Sequence, residues 1–304
     1  MPTEATWKIV VLDPIASSTI ERLTALLPPG FRLSSATDRG DAHLKAIIAD
    51  ADFAIAGQVA VSGVVLRAAR RLKLLHKWGV GVDNFDLDTA RELGIGVART
   101  TGSNAVPVAE FTLGLMVCAM RGLARGHAEL QKGLWRGFPL PHDPLMISGK
   151  TVGIVGFGAI GRRLARLLRG FDCRVLYNKR TPLAEAEARA LGVEFAPLAR
   201  LLAESDIVSL HCPLTEQTAG LIDRTALESM KRTAVLINVA RGGVVVEDDL
   251  RWALGNGVIH AAATDVYETE PLPPDSPLLG IDNLVTTPHL AALAADNFEP
   301  VVRR

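Results

Sequence analysis

The chain has 304 residues, 48% of them apolar, with 33 basic and 33 acidic side chains and a formal net charge of zero. That length accommodates two domains of ordinary size. The balanced charge gives no electrostatic case for binding nucleic acid or an anionic membrane.

Taken in chain order, the first segment, residues 1–8, lacks the basic-then-apolar order of a secretion signal. Short apolar runs at residues 9–12, 53–56, 72–76 and 95–97 predict strands, with helical patterns at 18–27, 41–50, 62–69 and 86–93 between them. This alternation predicts a parallel sheet with helices on both faces. A long helical stretch follows at about 105–132, and then a loop rich in Gly, Pro and Trp over 133–147. The most apolar part, residues 106–120, contains Glu110, ends at Arg121 and is too short to span a bilayer.

Residues 151–155 read as an apolar strand, followed by Gly156-Phe157-Gly158-Ala159-Ile160-Gly161 and an amphipathic helix to 168. Strand, G-x-G-x-x-G and helix in that order predict a dinucleotide site. Gly156 allows the tight turn, Gly158 the approach of a pyrophosphate, and Gly161 the packing of helix on strand. The helix start offers unpaired N–H groups to the phosphates. Further strands are predicted at 174–177, 207–210, 235–238, 261–264 and 284–286, with helices near 183–191, 198–203, 224–230 and 247–254. The chain is therefore expected to be α/β, with two doubly wound parallel-sheet domains.

The second strand of a dinucleotide fold ordinarily ends on an acid that binds the adenosine ribose. Here it runs into Asn178-Lys179-Arg180. Asn178 suits a ribose hydroxyl, and Lys179 and Arg180 suit a 2′-phosphate. Charge-assisted bonds contribute roughly 1.5–3 kcal/mol each, so the turn favours NADP(H) over NAD(H). Cys118, Cys173 and Cys212 are widely spaced and lie in apolar segments. They read as reduced core thiols of a cytoplasmic protein, with neither disulfide nor metal expected.

Three strand ends carry reactive side chains. After residues 235–238 comes Arg241, followed by Gly242 and Gly243; its planar fork suits a carboxylate. After 261–264 come Asp265 and Glu270, and after 284–286 comes His289. A carboxylate beside a histidine tunes its proton affinity and fixes its tautomer. Ligands of open α/β sheets bind at such carboxyl-terminal strand ends.

With these segments the chain resembles the D-isomer-specific 2-hydroxyacid dehydrogenases, the family of glyoxylate/hydroxypyruvate reductases, D-lactate dehydrogenases and phosphoglycerate dehydrogenases. The match runs through Gly79-Val-Gly-Val-Asp83-Asn84, residues 101–110, the glycine loop, His211-Cys-Pro-Leu-Thr-Glu-Gln-Thr218 and the three strand ends. The resemblance implies NAD(P)H-dependent reduction of a small 2-oxo acid to the D-2-hydroxy acid. Arg241 would anchor the substrate, Glu270 would pair with His289 and favour its protonated form, and His289 would give its proton to the carbonyl oxygen. Val80 and Gly81 would offer N–H groups to the substrate carboxylate. Asn104 would sit on the cofactor-facing hinge, Asp265 would bind the carboxamide, and Cys212, Pro213, Thr218, Val239 and Ala240 would line the cofactor cleft.

The family also implies a flavodoxin-like substrate domain, residues 1–98 plus 288–304, with an inserted Rossmann NAD(P)-binding domain at 99–287. The long helix and Trp135 resemble the family's dimer arm, although Trp135 equally suits a core anchor. Other readings of the same fold are a phosphoglycerate or phosphite dehydrogenase, or a cofactor-sensing, corepressor-like binding protein.

His43, His76, His127, His142 and His260 match no reactive motif, and His211 receives no role in proton transfer. Lys77 reads as an exposed strand end or as the holder of a second anionic group, and Asp83 as a support of its loop. Two departures from the family stand out. The segment after His289 lacks the usual glycine and hydroxyl residue, and the sequence stops at Arg304 inside the expected last helix.

Overall fold

The computed structural model describes residues 7–135 and 143–303. The expectations placed on residues 1–6, on 136–142 with His142, and on 304 lie outside them. The chain divides into two compact units, Met1–Asn104 with Ala295–Arg304, and Ala105–Ala294. The seams fall a few residues later than 98/99 and 287/288, so His289 belongs to the second unit.

The first unit holds five parallel strands, β1 (Trp7–Val11), β2 (Phe31–Ser35), β3 (Phe53–Ala56), β4 (Leu74–Lys77) and β5 (Gly96–Arg99), in the order β2-β1-β3-β4-β5. That is the flavodoxin-like order, with its switch point between β1 and β3. The helices α1 (Ser17–Ala25), α2 (Asp41–Ile48), α3 (Gly63–Ala68) and α4 (Leu87–Glu92) alternate with the strands. Val10, Val11, Leu12, Leu44, Ile48, Leu66 and Leu75 are fully buried at their centre.

The second unit opens with α5 (Ala105–Arg121) and α6 (Leu123–Gln131), where a single helix over 105–132 was expected. The two are bent by 67°. The physical reason is Gly122, whose φ of +63° lies in the left-handed region that breaks a right-handed helix. One face of α5 buries Val108, Leu115, Met116 and Met120, whereas α6 buries nothing. No single helix among the described residues is long and apolar enough to cross a membrane.

Then follow β6 (Thr151–Val155), α7 (Ala159–Leu168), β7 (Arg174–Asn178), α8 (Glu185–Leu191), β8 (Val193–Phe195), α9 (Leu198–Glu204), β9 (Ile207–Leu210), α10 (Arg224–Glu228), β10 (Val235–Asn238), α11 (Glu247–Gly255), β11 (Ala261–Thr264) and β12 (Leu284–Thr286). The parallel sheet runs β12-β11-β10-β9-β6-β7-β8. Its order reverses beside β6, which places a ligand crevice at the ends of β6 and β9. Every residue of β9, β10 and β11 is buried, as in a parallel sheet covered on both faces. In α7, Leu164, Ala165 and Leu168 pack inward while Arg166 points out. The last helix, α12 (Phe298–Val302), belongs to the first unit, where the Phe298 ring packs at a tilt against Trp78, centroids 5.8 Å apart.

Strands β2 and β8 are additions to the sequence reading. The β2 segment, Phe-Arg-Leu-Ser-Ser, is nowhere fully buried, and β8 spans three residues. Trp135 is 88% exposed, which removes the core-anchor reading.

Candidate active site

The glycine loop leaves β6 at the reversal of strand order. Gly156 has φ +92°, and a Cβ there would lie 2.3 Å from the backbone nitrogen of Cys212, so only glycine fits. A Cβ on Gly161 would stand 2.9 Å from the Gly156 carbonyl oxygen. At Gly158 a Cβ would meet nothing within 4 Å. Gly158 is also the N-cap of α7, and no side chain caps that helix. The loop is thus closed toward the protein and open at the helix start, which fits a pyrophosphate.

At the end of β7, Gly156 N–H donates to the Asn178 carbonyl at 3.0 Å, tying this strand end to the glycine loop. The Asn178 side-chain amide donates to the Ala196 carbonyl at 2.9 Å. Tyr177 is buried between Phe157, at 4.6 Å, and Phe195, at 5.7 Å. Its hydroxyl accepts the N–H of Leu183 at 2.8 Å and closes the basic turn from behind. Arg180 is exposed and Lys179 half-exposed in that turn.

Along the cleft wall, Cys212, Val239 and Ala240 are buried. Burial pushes the Cys212 thiol up to about 11, so it stays protonated. The Thr218 hydroxyl donates to the Pro213 carbonyl at 2.6 Å and accepts the Thr215 N–H at 2.8 Å, closing that turn. His211 lies 2.8 Å from the Ser209 hydroxyl through Nε2. Burial pushes its imidazole down to about 3, so it is neutral at physiological pH. Two buried polar atoms, His211 Nδ1 and Asn104 Oδ1, have no hydrogen-bond partner among the described residues. Groups of that kind await a ligand or water.

The three reactive strand ends converge within the second unit. Glu270 Oε2 lies 2.7 Å from His289 Nδ1, and Glu270 Oε1 accepts the Tyr267 N–H at 3.0 Å. Burial raises the proton affinity of Glu270. The His289 hydrogen bond and charge, the Tyr267 amide and the Arg241 charge outweigh it, so its carboxyl falls below the usual value. Arg241 leaves β10 in extended conformation and bonds the Ala240 carbonyl at 2.8 Å. Gly242 is obligatory beside it, because a Cβ would fall 1.8 Å from the Tyr267 carbonyl carbon. With Nδ1 committed to Glu270, Nε2 is the nitrogen left to exchange a proton. The loop carrying His289 is fixed by Asp265, which is fully buried. Its carboxylate accepts Thr287 Oγ1 at 2.6 Å and the N–H groups of Leu290 and Ala291 at 2.8 Å each.

In the first unit, Val80 and Gly81 lie on the Trp78–Asn84 loop after β4. Arg99 donates to the Val80 carbonyl at 3.1 Å. Lys77 is not the exposed strand end that the sequence suggests. It is only 7% exposed, and its ammonium donates to the Gly57 carbonyl and to Asn84 Oδ1. Sequence reasoning also missed Asp13, at the β1/β3 switch point, whose carboxylate accepts the N–H groups of Gly57, Gln58 and Val59. No local pattern announces a contact with backbone amides more than forty residues away. The one available signal was an acid placed directly after an apolar strand.

The family profile for the NAD binding domain of D-isomer specific 2-hydroxyacid dehydrogenase matches residues 113–291. A glyoxylate reductase of Korarchaeum cryptofilum is 40% identical over 237 residues, 76% of this chain and 70% of its own. A D-3-phosphoglycerate dehydrogenase of Archaeoglobus fulgidus is 38% identical over 239 residues, 78% of this chain but only 45% of its own. An NADPH-dependent glyoxylate/hydroxypyruvate reductase from Sinorhizobium meliloti, solved with NADP and malonate, superposes with a TM-score of 0.84 at 29% identity. That superposition covers 98% of this chain and 91% of its own. By profile, relatives and two-sheet architecture alike, the chain belongs to the D-isomer-specific 2-hydroxyacid dehydrogenases, which are nicotinamide-dependent oxidoreductases.

Proposed function

We propose that this protein reduces glyoxylate, hydroxypyruvate or a similarly small 2-oxo acid to the D-2-hydroxy acid, with NADP(H) preferred over NAD(H). The observation that carries this reading is the Glu270–His289 pair at 2.7 Å with Arg241 acting electrostatically on the same carboxylate. When bound, the nicotinamide supplies the hydride that goes to C2 of the 2-oxo acid. Arg241 holds the substrate carboxylate and carbonyl by its two-pronged face. His289, protonated, passes the Nε2 proton to the carbonyl oxygen as C2 is reduced, and Glu270 stabilises the imidazolium before that transfer. In the oxidative direction neutral His289 takes the hydroxyl proton. Val80 and Gly81 add N–H groups to the carboxylate.

On the cofactor side, Phe157, Gly158, Ala159 and Ile160 carry the pyrophosphate, and Asn178, Lys179 and Arg180 carry the adenosine ribose and its 2′-phosphate. Asn104, Cys212, Pro213, Thr218, Val239, Ala240 and Asp265 complete the cofactor cleft. The preference for NADP(H) rests on the missing strand-end acid and the basic turn. The same reading makes the protein a cytoplasmic homodimer, with the first unit, Met1–Asn104 and Ala295–Arg304, as the substrate domain and the second, Ala105–Ala294, as the cofactor domain. Three unpaired cysteines support the compartment. Helix α6 and the residues just after it expose Leu123, Leu130, Leu134 and Trp135, which supports the dimer.

The test is a panel of 2-oxo acids assayed by NADPH and NADH absorbance. Turnover of the small acids with a larger kcat/KM for NADPH is expected. A clear NADH preference overturns the cofactor assignment. Tight cofactor binding with no turnover of any acid overturns the enzymatic reading in favour of a sensor.

A further inference from the structure

The segments that follow β10 and β11, carrying Arg241 and Glu270, are joined by a reciprocal pair of side-chain-to-backbone contacts. Glu247 opens α11, downstream of Arg241 on the first segment, and Glu268 lies just before Glu270 on the second. The Glu268 N–H donates to Glu247 Oε1 at 2.8 Å, and the Glu247 N–H donates to Glu268 Oε1 at 3.4 Å.

The shorter of these bonds acts on the Tyr267–Glu268 peptide group. That peptide is pressed against Gly242, where a Cβ would fall 1.8 Å from the Tyr267 carbonyl carbon and 2.2 Å from the Glu268 nitrogen. The amide just before it, the Tyr267 N–H, donates to Glu270 Oε1 at 3.0 Å. Two successive N–H groups of the loop thus go to two carboxylates, one from the Arg241 segment and one from the acid–base pair. The Arg241 segment is fixed independently. Its Gly243 carbonyl accepts the Gly220 N–H at 2.9 Å, and its Val244 carbonyl accepts the Ile222 N–H at 3.0 Å. A shift of the Tyr267–Glu268 peptide therefore moves Glu270 relative to Arg241. The contact is kept at an electrostatic cost. Burial raises the proton affinity of Glu247, the Glu268 N–H lowers it by less, and the charges of Glu268 and Asp248 raise it further.

We infer that Glu247 is a positioning residue for the reaction: through the Tyr267–Glu268 peptide it sets where Glu270, and with it His289, stands relative to Arg241. This rests on the function proposed above. It goes beyond that reading by assigning the alignment of substrate anchor and acid–base pair to a side chain outside the Arg241–Glu270–His289 set.

The experiment measures steady-state reduction of glyoxylate and hydroxypyruvate by the full-length protein at saturating cofactor. It compares wild type, Glu247→Ala, Glu247→Gln, Glu270→Ala and the double variant Glu247→Ala with Glu270→Ala. Glu247→Ala is expected to lower kcat roughly tenfold, as small misplacements of an acid–base group do, with KM changing less and cofactor Kd unchanged. Glu247→Gln keeps an acceptor oxygen at the same reach and should stay within about twofold of wild type. In the Glu270→Ala background, Glu247→Ala should cost kcat about twofold or less, because the carboxylate it aligns is gone. A residue that only stabilised α11 would lower kcat by the same factor in both backgrounds. That result, or wild-type kcat in Glu247→Ala, overturns the inference and leaves the reductase reading standing. Failure of cofactor-bound wild type to reduce any 2-oxo acid overturns both. Glu247 is half-buried and alanine suits a helix, so the variant is expected to fold. Should it not, Glu247→Asp, which shortens the reach by one methylene, takes its place in both backgrounds with the same coupling expected.

Discussion

Asp265 holds His289 by backbone and side chain together: its carbonyl accepts the His289 N–H at 2.9 Å, while its carboxylate binds Leu290 and Ala291, the two residues that follow. Between these bonds His289 adopts φ +53°, a left-handed conformation that costs a non-glycine residue about 1–2 kcal/mol. The strain is held because it aims the imidazole at Glu270. Asp265→Asn replaces one acceptor oxygen with an amide NH2 that confronts the backbone N–H of Leu290 or Ala291, and a buried N–H left unpaired costs about 1–3 kcal/mol. We expect kcat to fall roughly 10–100-fold, in line with misplacing the acid–base group. A lowered melting temperature should accompany it. Turnover at wild-type level with only the melting temperature lowered would show that Asp265 stabilises the loop without aligning His289.

The Glu270–His289 pair predicts one effect on stability and one on turnover. Since the folded carboxyl of Glu270 is shifted below its ordinary value of 4.5, the stabilisation it brings is present above that value. It is lost as pH falls through the lower folded value. Glu270→Gln is therefore expected to flatten the acid end of the stability curve, measured as denaturant midpoint against pH. The same substitution removes the hydrogen-bond partner of His289 Nδ1, so kcat for 2-oxo acid reduction should fall by roughly 10–100-fold. Wild-type turnover in this variant would separate Glu270 from proton transfer.

Much of this site was legible because its residues stand at the ends of short apolar runs, two of which, β10 and β11, are fully buried. β9, β10, β11 and β12 were read at their observed bounds, and Arg241, Glu270 and His289 follow three of them in order. β2 was not legible because Arg32 and Ser34 face solvent, and only Phe31, Leu33 and Ser35 lean inward. The break at Gly122 escaped because an isolated glycine inside a helical pattern is usually tolerated. Lys77 was misread for a different reason. Its partners are a carbonyl twenty residues away and an amide across its own loop, and neither leaves a trace in periodicity. Side chains that bond backbone groups are invisible to patterning, and Asp13 and Asp265 share that property.

Arg241 and His289 should separate kinetically. Arg241→Ala removes a two-pronged carboxylate contact, so KM for the 2-oxo acid should rise by roughly 10–100-fold, the contribution of one to two charge-assisted bonds. His289→Ala should leave KM near wild type and lower kcat by about 10²–10⁴-fold, as expected for a lost acid–base group. Steady-state kinetics at saturating NADPH measures both. Near-normal turnover of the His289 variant would reject its assignment as proton donor.

The glycine loop offers a matched pair in which fold and ligand effects come apart. At Gly156 an added Cβ meets backbone atoms of His211 and Cys212 at 2.3–2.7 Å, and φ is +92°. Backbone on both sides cannot give way as a flexible side chain does, so Gly156→Ala is expected to lower the melting temperature even without cofactor. At Gly158 the same methyl meets open space, and φ is −90°. Gly158→Ala should therefore leave the apo melting temperature unchanged. The methyl instead occupies the space through which a pyrophosphate approaches the first turn of α7. Cofactor Kd, measured by titration of intrinsic fluorescence, should rise by roughly tenfold or more as those N–H contacts lengthen. If Gly158→Ala binds NADPH with wild-type affinity, the phosphates do not lie against this helix start and the assignment of the glycine loop fails.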